Sequence, residues 1–247
     1  MTGRRLYRRT LKNERLSSFT ITLKETDLWI AVSSSSYSSD LPDRIERYLF
    51  TLRQTLEVYL GQHPLVRKSF DPCLLDSDAP PIMVKMAQAA NLADVGPMAA
   101  VAGAIAEDVG LFLSQSVPEV IVENGGDIFL QVQESYLVGI YAGRSPLSGR
   151  LALKISSDQS PLGICTSSGT IGPSFSFGCA DAAVAVSSST ALADAAATAL
   201  GNLVTKDVGF ENALTYARTI EGLSGVILIC GKEIALWGNI EVTKINP

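Results

Sequence analysis

Short β-rich runs and longer stretches of helical periodicity alternate along the first part of the chain. Residues 17–23 and 28–32 are rich in β-favouring side chains, and the polar residues 24–27 between them predict a hairpin. Over residues 43–60, apolar side chains recur every three or four positions with charged ones opposite, which predicts an amphipathic helix. The Pro- and Asp-rich residues 64–81 predict a connecting segment.

Small residues dominate the next helical segments. A helix is predicted over residues 82–92, and Gly96-Pro97 ends it and starts another over residues 97–115, because proline is tolerated in a first helical turn. This second helix consists largely of Ala and Gly, which let another backbone approach closely. We therefore expect it to lie against a sheet or a ligand.

After Pro118 the pattern changes to short apolar runs typical of strands. Most connections between these runs are too short for βαβ crossovers, so the strands are expected to be antiparallel. The predicted fold is α+β, with antiparallel sheets and packed helices. Strands are predicted at residues 119–123, 128–133, 136–142, 151–156, 163–166, 182–187, 226–230, 233–237 and 240–245, and helices at 190–204 and 211–221.

Length and charge narrow the class of protein. A chain of 247 residues, 47% hydrophobic, is expected to form one domain over residues 1–247, or two intimately packed halves.

The net charge of -5 argues against nucleic-acid binding, which needs clustered cations. Arg4, Arg5, Arg8 and Arg9 form one basic cluster, for which a solvated arm is favoured over an RNA contact. Lys12, Glu14 and Arg15 follow where an apolar segment would begin, so no export signal is expected, and the cytoplasm is the expected location.

Neither a membrane-spanning segment nor a zinc site is expected. The longest apolar stretch, residues 95–113, contains Pro97, Glu107 and Asp108, which disfavour a membrane span. The four cysteines lack CxxC spacing, which indicates buried thiols in a reducing compartment. His63 is the one histidine, so a multi-histidine metal site is excluded.

Two glycine-containing segments could contact a ligand. Asn124, Gly125, Gly126 and Asp127 lie between two predicted strands, which is the pattern of a tight hairpin. Alternatively, the glycines expose backbone N–H groups to a ligand and Asp127 offers a carboxylate. Ser168, Gly169 and Thr170 follow a predicted strand, where a polar loop and a phosphate-binding turn are equally good explanations.

Asp194 and Thr198 are four residues apart on a predicted helix, so they project from the same face between alanines. A carboxylate and a hydroxyl are hard oxygen donors of the kind that Mg²⁺ accepts. The alternative is structural: Asp194 favours the positive helix N-terminus behind a Thr190 cap, and Thr198 bonds back to the preceding turn. Spacing alone does not separate the two.

The ordered segments 96–107, 122–129, 167–172 and 193–199 together resemble the ApbE-like superfamily, and more closely an uncharacterised branch of it than its flavin transferases. The resemblance implies a T-fold-like α+β architecture. The transferases use Mg²⁺ and FAD to attach FMN to a threonine of a target protein. Residues 123–127 resemble their Asn-x-Gly-Gly-Asp motif. Ser168-Gly169 resembles their Ser-Gly turn, and residues 194–198 resemble their metal-binding Asp-Ala-x-x-Thr motif.

Two parts of the transferase pattern are missing. The positions of a lysine, a glycine and a nearby acid fall near Ala99, Ala100 and Ala104, and residues 174–181 replace a histidine-containing block. The chain is therefore predicted to bind a small phosphate-bearing molecule with Mg²⁺, with FAD or FMN among the candidates, rather than to transfer FMN. The alternative is a non-catalytic interaction or scaffold protein that kept the fold. A homodimer is also expected, because the Ala/Gly-rich surfaces around Ala99 and Ala195 offer close-packing faces.

Overall fold

The computed structural model describes residues 15–169, 178–205 and 209–245. The basic cluster at Arg4, Arg5, Arg8 and Arg9, and the predicted ligand residue Thr170, lie outside the described residues. The strands are β1 (Leu16–Leu23), β2 (Thr26–Ser33), β3 (Val120–Asn124), β4 (Asp127–Gln131), β5 (Tyr136–Gly139), β6 (Leu151–Ile155), β7 (Leu162–Ser167), β8 (Ala182–Ser187), β9 (Leu223–Cys230), β10 (Glu233–Gly238) and β11 (Glu241–Lys244). The helices are α1 (Leu41–Gln62), α2 (Pro64–Lys68), α3 (Pro81–Leu92), α4 (Val101–Ser114), α5 (Thr190–Leu203) and α6 (Glu211–Ala217), with 3₁₀ turns at Ser34–Ser36, Pro97–Ala100 and Ser157–Gln159.

The strands form two antiparallel sheets, as the short connections predict. The larger has the order β1-β2-β3-β4-β7-β8-β9-β10, and the smaller has the order β11-β6-β5. The β3–β4 hairpin turns at Gly125 (φ 75°) and Gly126 (φ 116°), conformations that side chains with a Cβ rarely adopt. The expected α+β class is confirmed.

Two apolar cores lie on the two faces of the large sheet. One is formed with the helices and includes Phe129, Leu200 and Val226. The other lies between the two sheets and includes Leu130, Leu153 and Ile164. Strand β7 contributes to both faces, because its successive side chains alternate between them. The molecule is therefore layered as helices, large sheet and small sheet.

Helix α5 packs directly on β7 and β8, and α4 packs on β3, β4 and α5. Two glycines permit this approach. A Cβ on Gly103 would lie 2.5 Å from the Thr190 carbonyl oxygen, and one on Gly163 would lie 2.4 Å from the Thr190 Cα. The expectation that the Ala/Gly-rich helix lies against the sheet is confirmed.

The residues before and inside α4 differ in detail from the expectation. The connecting segment 64–81 contains the short helix α2, and Pro97–Ala100 forms a 3₁₀ turn that leads into α4. Pro97–Ser114 is the one described stretch that is long and apolar enough to cross a membrane, and half of it is buried within the protein. Its contacts with α5 and the sheet are those of a core helix.

Three expectations need correction. Ala195 is completely buried, so the face proposed for a homodimer there packs inside the chain. Only Cys165 is a buried thiol among the four cysteines, whereas Cys73, Cys179 and Cys230 are partly exposed. The N-cap of α5 is Ser189, whose hydroxyl accepts from the Leu192 N–H, whereas Thr190 is the first helical residue.

Candidate functional site

The ends of three interior strands of the large sheet, β3, β4 and β7, meet helices α4 and α5 at a place that we call the acidic site. Asp127 lies opposite Asn124 on β3 and opposite Cys165 on β7. Asn124, Asp127 and Cys165 share the helix-facing side of the sheet, on the same side as Val122 and Phe129. Helix α5 packs on β7 and brings Asp194 to the acidic site, where its charge acts on Asp127. The structure therefore brings together two acids that are 67 positions apart in the numbering, from 127 to 194.

Asp194 is partly buried and contacts the start of the neighbouring helix. Its Oδ2 accepts a hydrogen bond from the Gly103 N–H at 2.8 Å, in the first turn of α4. Burial raises the pKa of Asp194 to about 7, although the N–H groups of Gly103 and Ala102 act in the opposite direction. Asp194 thus caps α4. The structural alternative predicted from the sequence had instead related Asp194 to the N-terminus of its own helix, α5.

Asp127 is only 8% exposed. Burial raises the pKa of Asp127 well above its usual range, and the charge of Asp194 raises it further, while the Cys165 thiol opposes the change. Burial likewise raises the pKa of the Cys165 thiol, with Asp127 and Asp194 adding to the effect. Two carboxyl groups in one poorly solvated site repel each other when both are ionised. Such a pair is suited to hold a cation.

The hairpin residues have internal partners. The Asn124 side-chain amide donates to the Ala102 carbonyl at 3.1 Å, so it holds the start of α4 from the sheet. The Gly126 N–H donates to Glu123 Oε1 at 2.8 Å. Gly125 contributes the positive φ that the turn needs. The hairpin explanation is thus confirmed for the backbone, and a ligand role for these residues stays a prediction.

Thr198 lies on α5, and the Ser168-Gly169 turn follows β7. Thr198 is one helical turn after Asp194 and partly exposed. Helix α5 passes the end of β7, since a Cβ on Gly201 would lie 3.6 Å from Ser167 Oγ. The Gly169 N–H donates to the Ala180 carbonyl at 2.9 Å, which fixes the turn after β7.

Glu107 supports the site, a role that was not predicted from the sequence. Its Oε2 accepts from the Ser189 hydroxyl at 3.2 Å and from the Ala191 N–H at 3.1 Å, at the start of α5. Its Oε1 pairs with Lys85 Nζ at 3.0 Å. Each of the antiparallel helices α4 and α5 therefore caps the other: Glu107 of α4 binds the start of α5, and Asp194 of α5 binds the start of α4.

Comparison with known proteins identifies the family. The family model described as "AbpE bacteria" matches residues 8–236. A UPF0280 protein of Methanothrix thermoacetophila is 46% identical over 190 residues, covering 76% of this chain and 79% of its own. A UPF0280 protein of Methanosarcina acetivorans is 40% identical over 224 residues, covering 88% and 85%.

Solved structures show the same fold at low sequence identity. A variant of the flavin transferase ApbE from Vibrio cholerae aligns with a TM-score of 0.58 at 11% identity, covering 90% of this chain and 96% of its own. The ApbE protein of Thermotoga maritima aligns with a TM-score of 0.56 at 11% identity, covering 89% and 96%. The chain therefore belongs to the ApbE-like family, in the branch that contains the UPF0280 proteins, and it has the ApbE fold.

Proposed function

We propose that the acidic site binds a small phosphate-bearing molecule together with Mg²⁺, and that a flavin nucleotide, FAD or FMN, is the first candidate. The observation that carries the proposal is the pair Asp127 and Asp194: burial raises the pKa of both carboxyl groups, and the charge of Asp194 raises that of Asp127 further. A divalent cation offsets this repulsion and links it to the anionic phosphate. Flavin transferases among the structural neighbours lead us to test flavins first.

The donor set fits Mg²⁺. Asp194 and Thr198 offer a carboxylate and a hydroxyl from one face of α5, and these hard oxygens are the ligands that Mg²⁺ prefers. A carboxylate accepts up to four hydrogen bonds or ligands, so the contact from Gly103 leaves Asp194 with further capacity. When bound, Mg²⁺ supplies positive charge for the phosphate oxygens. Asp127, which lies beside Asp194, would orient the ion or the ligand from the sheet.

We assign binding rather than FMN transfer. Ala99, Ala100 and Ala104 stand where the resemblance places a lysine, a glycine and an acid, and methyl groups add no charge to a transfer reaction. Ala100 and Ala104 are also completely buried, so they line the core.

A scaffold function without ligand is the second candidate. It is favoured by the internal hydrogen bonds of Asp194 and Asn124, which hold the start of α4 at Gly103 and Ala102. In that case the role of these polar side chains is to hold α4 in place, and they bind no ligand.

Calorimetric titration with FAD, FMN, ADP and ATP, each with and without Mg²⁺, separates the two candidates. We expect at least one of these ligands to bind, with affinity that rises when Mg²⁺ is present. Asp194→Asn should abolish the Mg²⁺ dependence, because the amide keeps an acceptor for Gly103 but loses the charge. The matched control is Asp158→Asn, which removes one exposed carboxylate near the start of β7, at the opposite end of that strand. Absence of binding to all four ligands would remove the nucleotide proposal, and unchanged Mg²⁺ dependence in Asp194→Asn would remove the metal assignment.

A further inference from the structure

Cys179 and Cys230 form a close pair of free thiols outside the acidic site. Their sulfur atoms lie 3.6 Å apart, although the residues are 51 positions apart in the chain. The Cys230 thiol also lies 3.5 Å from the Cys179 carbonyl oxygen, to which it donates. Both side chains pack on the helix-side core and both are partly exposed. A dissolved reagent can therefore reach them.

The backbone on both sides of the pair is held in place. The Cys179 N–H donates to the Val204 carbonyl at 2.8 Å, just after the end of α5. Next to it, Gly178 packs so closely on α5 that a Cβ there would lie 1.9 Å from the Gly201 carbonyl oxygen. Cys230 ends β9, and the Asp181 N–H donates to the adjacent Ile229 carbonyl at 2.8 Å. These bonds keep the two sulfur atoms together in the folded chain.

We propose that Cys179 and Cys230 are a modification site at which a low-molecular-weight disulfide is reduced and an intramolecular disulfide is formed. A disulfide bond is about 2.05 Å long, so the sulfur atoms approach each other by roughly 1.5 Å, a movement within reach of side-chain rotation. The product fastens the segment that packs on the last turn of α5 to the end of β9. The bond therefore tightens the support of the helix that carries Asp194 and Thr198.

The reaction proceeds by two exchanges. In the first, the Cys179 thiolate attacks one sulfur of the added disulfide, forms a mixed disulfide and releases one thiolate. In the second, the Cys230 thiolate attacks the Cys179 sulfur and releases the other. The two released thiolates take up the two protons that the cysteines lose, so two protein thiols are oxidised and one disulfide is reduced to two thiols.

The surroundings of Cys230 slow its attack on the added disulfide. Burial raises the pKa of Cys230 to about 11, and the neighbouring Cys179 sulfur raises it as well. Because the thiolate is the nucleophile, this raised pKa makes Cys230 slow to attack the added disulfide directly. Once Cys179 has entered the mixed disulfide, it no longer bears a charge that disfavours the Cys230 thiolate.

Thiol counting on the full chain tests the proposal. The folded protein is incubated with oxidised glutathione, desalted and unfolded, and its free thiols are titrated. We expect the count to fall from the four cysteines of the chain to two. Non-reducing digestion and fragment-ion mass spectrometry should assign the new bond to Cys179 and Cys230. The count and the bond assignment do not depend on ligand binding, so they stand apart from the test of the acidic site.

Three single variants make the assignment specific. Cys230→Ser should retain glutathione on Cys179 as a lasting mixed disulfide, and Cys179→Ser should form no intramolecular bond. Cys73→Ser, which removes another partly exposed thiol, should form the Cys179–Cys230 bond as the unaltered chain does. The proposal is overturned if the folded chain keeps all its thiols, if the bond includes Cys73 or Cys165, or if the bond forms as fast in the denatured chain.

Discussion

Asp194 couples the stability of the fold to pH. Burial raises the pKa of Asp194 from 3.8 to about 7 in the folded protein. The folded chain therefore holds this proton more tightly than the unfolded chain does. The stabilising contribution is fully present below the unfolded pKa of about 4 and is lost as the pH rises through about 7.

We therefore expect the free energy of unfolding to fall between about pH 4 and about pH 7, by about 2 kcal/mol relative to Asp194→Asn, which cannot titrate. This free-energy change is smaller than the full pKa shift of Asp194 would give, because the side chain is partly exposed and solvent screens its charge. Urea unfolding of both proteins across this pH range measures the difference. Parallel curves for the two proteins would contradict the raised pKa.

The capping role of Asp194 gives a second prediction at the same residue. Asp194→Ala removes the acceptor of the Gly103 N–H and should destabilise the protein by about 0.5–2 kcal/mol at neutral pH, the usual cost of a lost helix cap. Asp194→Asn keeps an oxygen acceptor and should cost less than Asp194→Ala. Chemical denaturation of the two variants at pH 7 makes the comparison. Equal losses would mean that charge, rather than the hydrogen bond, holds α4.

Helices α4 and α5 are held at a separation that Gly103 permits. A methyl group there would meet the backbone of Thr190, which cannot rotate away as a side chain can. We expect Gly103→Ala to destabilise the protein by about 1–3 kcal/mol through overpacking. Gly61, near the end of α1, has open space around its Cβ position.

Gly61→Ala is the matched control, and it should stabilise the protein by up to about 1 kcal/mol because alanine favours the helix. Thermal unfolding of both variants gives the two signs. A neutral effect of Gly103→Ala would show that α4 and α5 are free to separate.

The positions of helices and strands could be predicted from the sequence where neighbouring residues in the chain determine them. The Gly125-Gly126 turn between the apolar runs of β3 and β4 places that hairpin without tertiary information. The 3.6-residue period likewise places α1 to within two residues at each end. Local pattern failed for α2, because the prolines of residues 64–81 favour a connection as strongly as a first helical turn.

The candidate site was harder to predict than the fold. The motif residues Asp127 and Asp194 were identified from spacing and resemblance, but their proximity depends on packing. The cap from Asp194 to Gly103 joins residues 91 positions apart, and that from Glu107 to Ser189 joins residues 82 apart. Residue periodicity within one element carries no signal for such contacts.

The large sheet contains strands from both ends of the described chain, so we expect the whole protein to unfold as one unit. Trp29 on β2 and Trp237 on β10 lie towards opposite edges of this sheet. Trp29→Phe and Trp237→Phe each leave one tryptophan as a reporter of one edge. The fluorescence midpoints in urea should coincide with each other and with the loss of helical circular dichroism. Separate midpoints would support two independently folding halves.

The pairing of β2 with β3 has a consequence for synthesis on the ribosome. The chain runs from residue 33 to residue 120 between these neighbours, and α1, α2, α3 and α4 lie in that interval. At typical translation rates, β2 waits on the order of 10 s before β3 emerges. During that time its inner edge presents unpaired backbone groups, which are the groups that promote strand-to-strand association. The nascent chain is therefore vulnerable to aggregation through β2 during this interval.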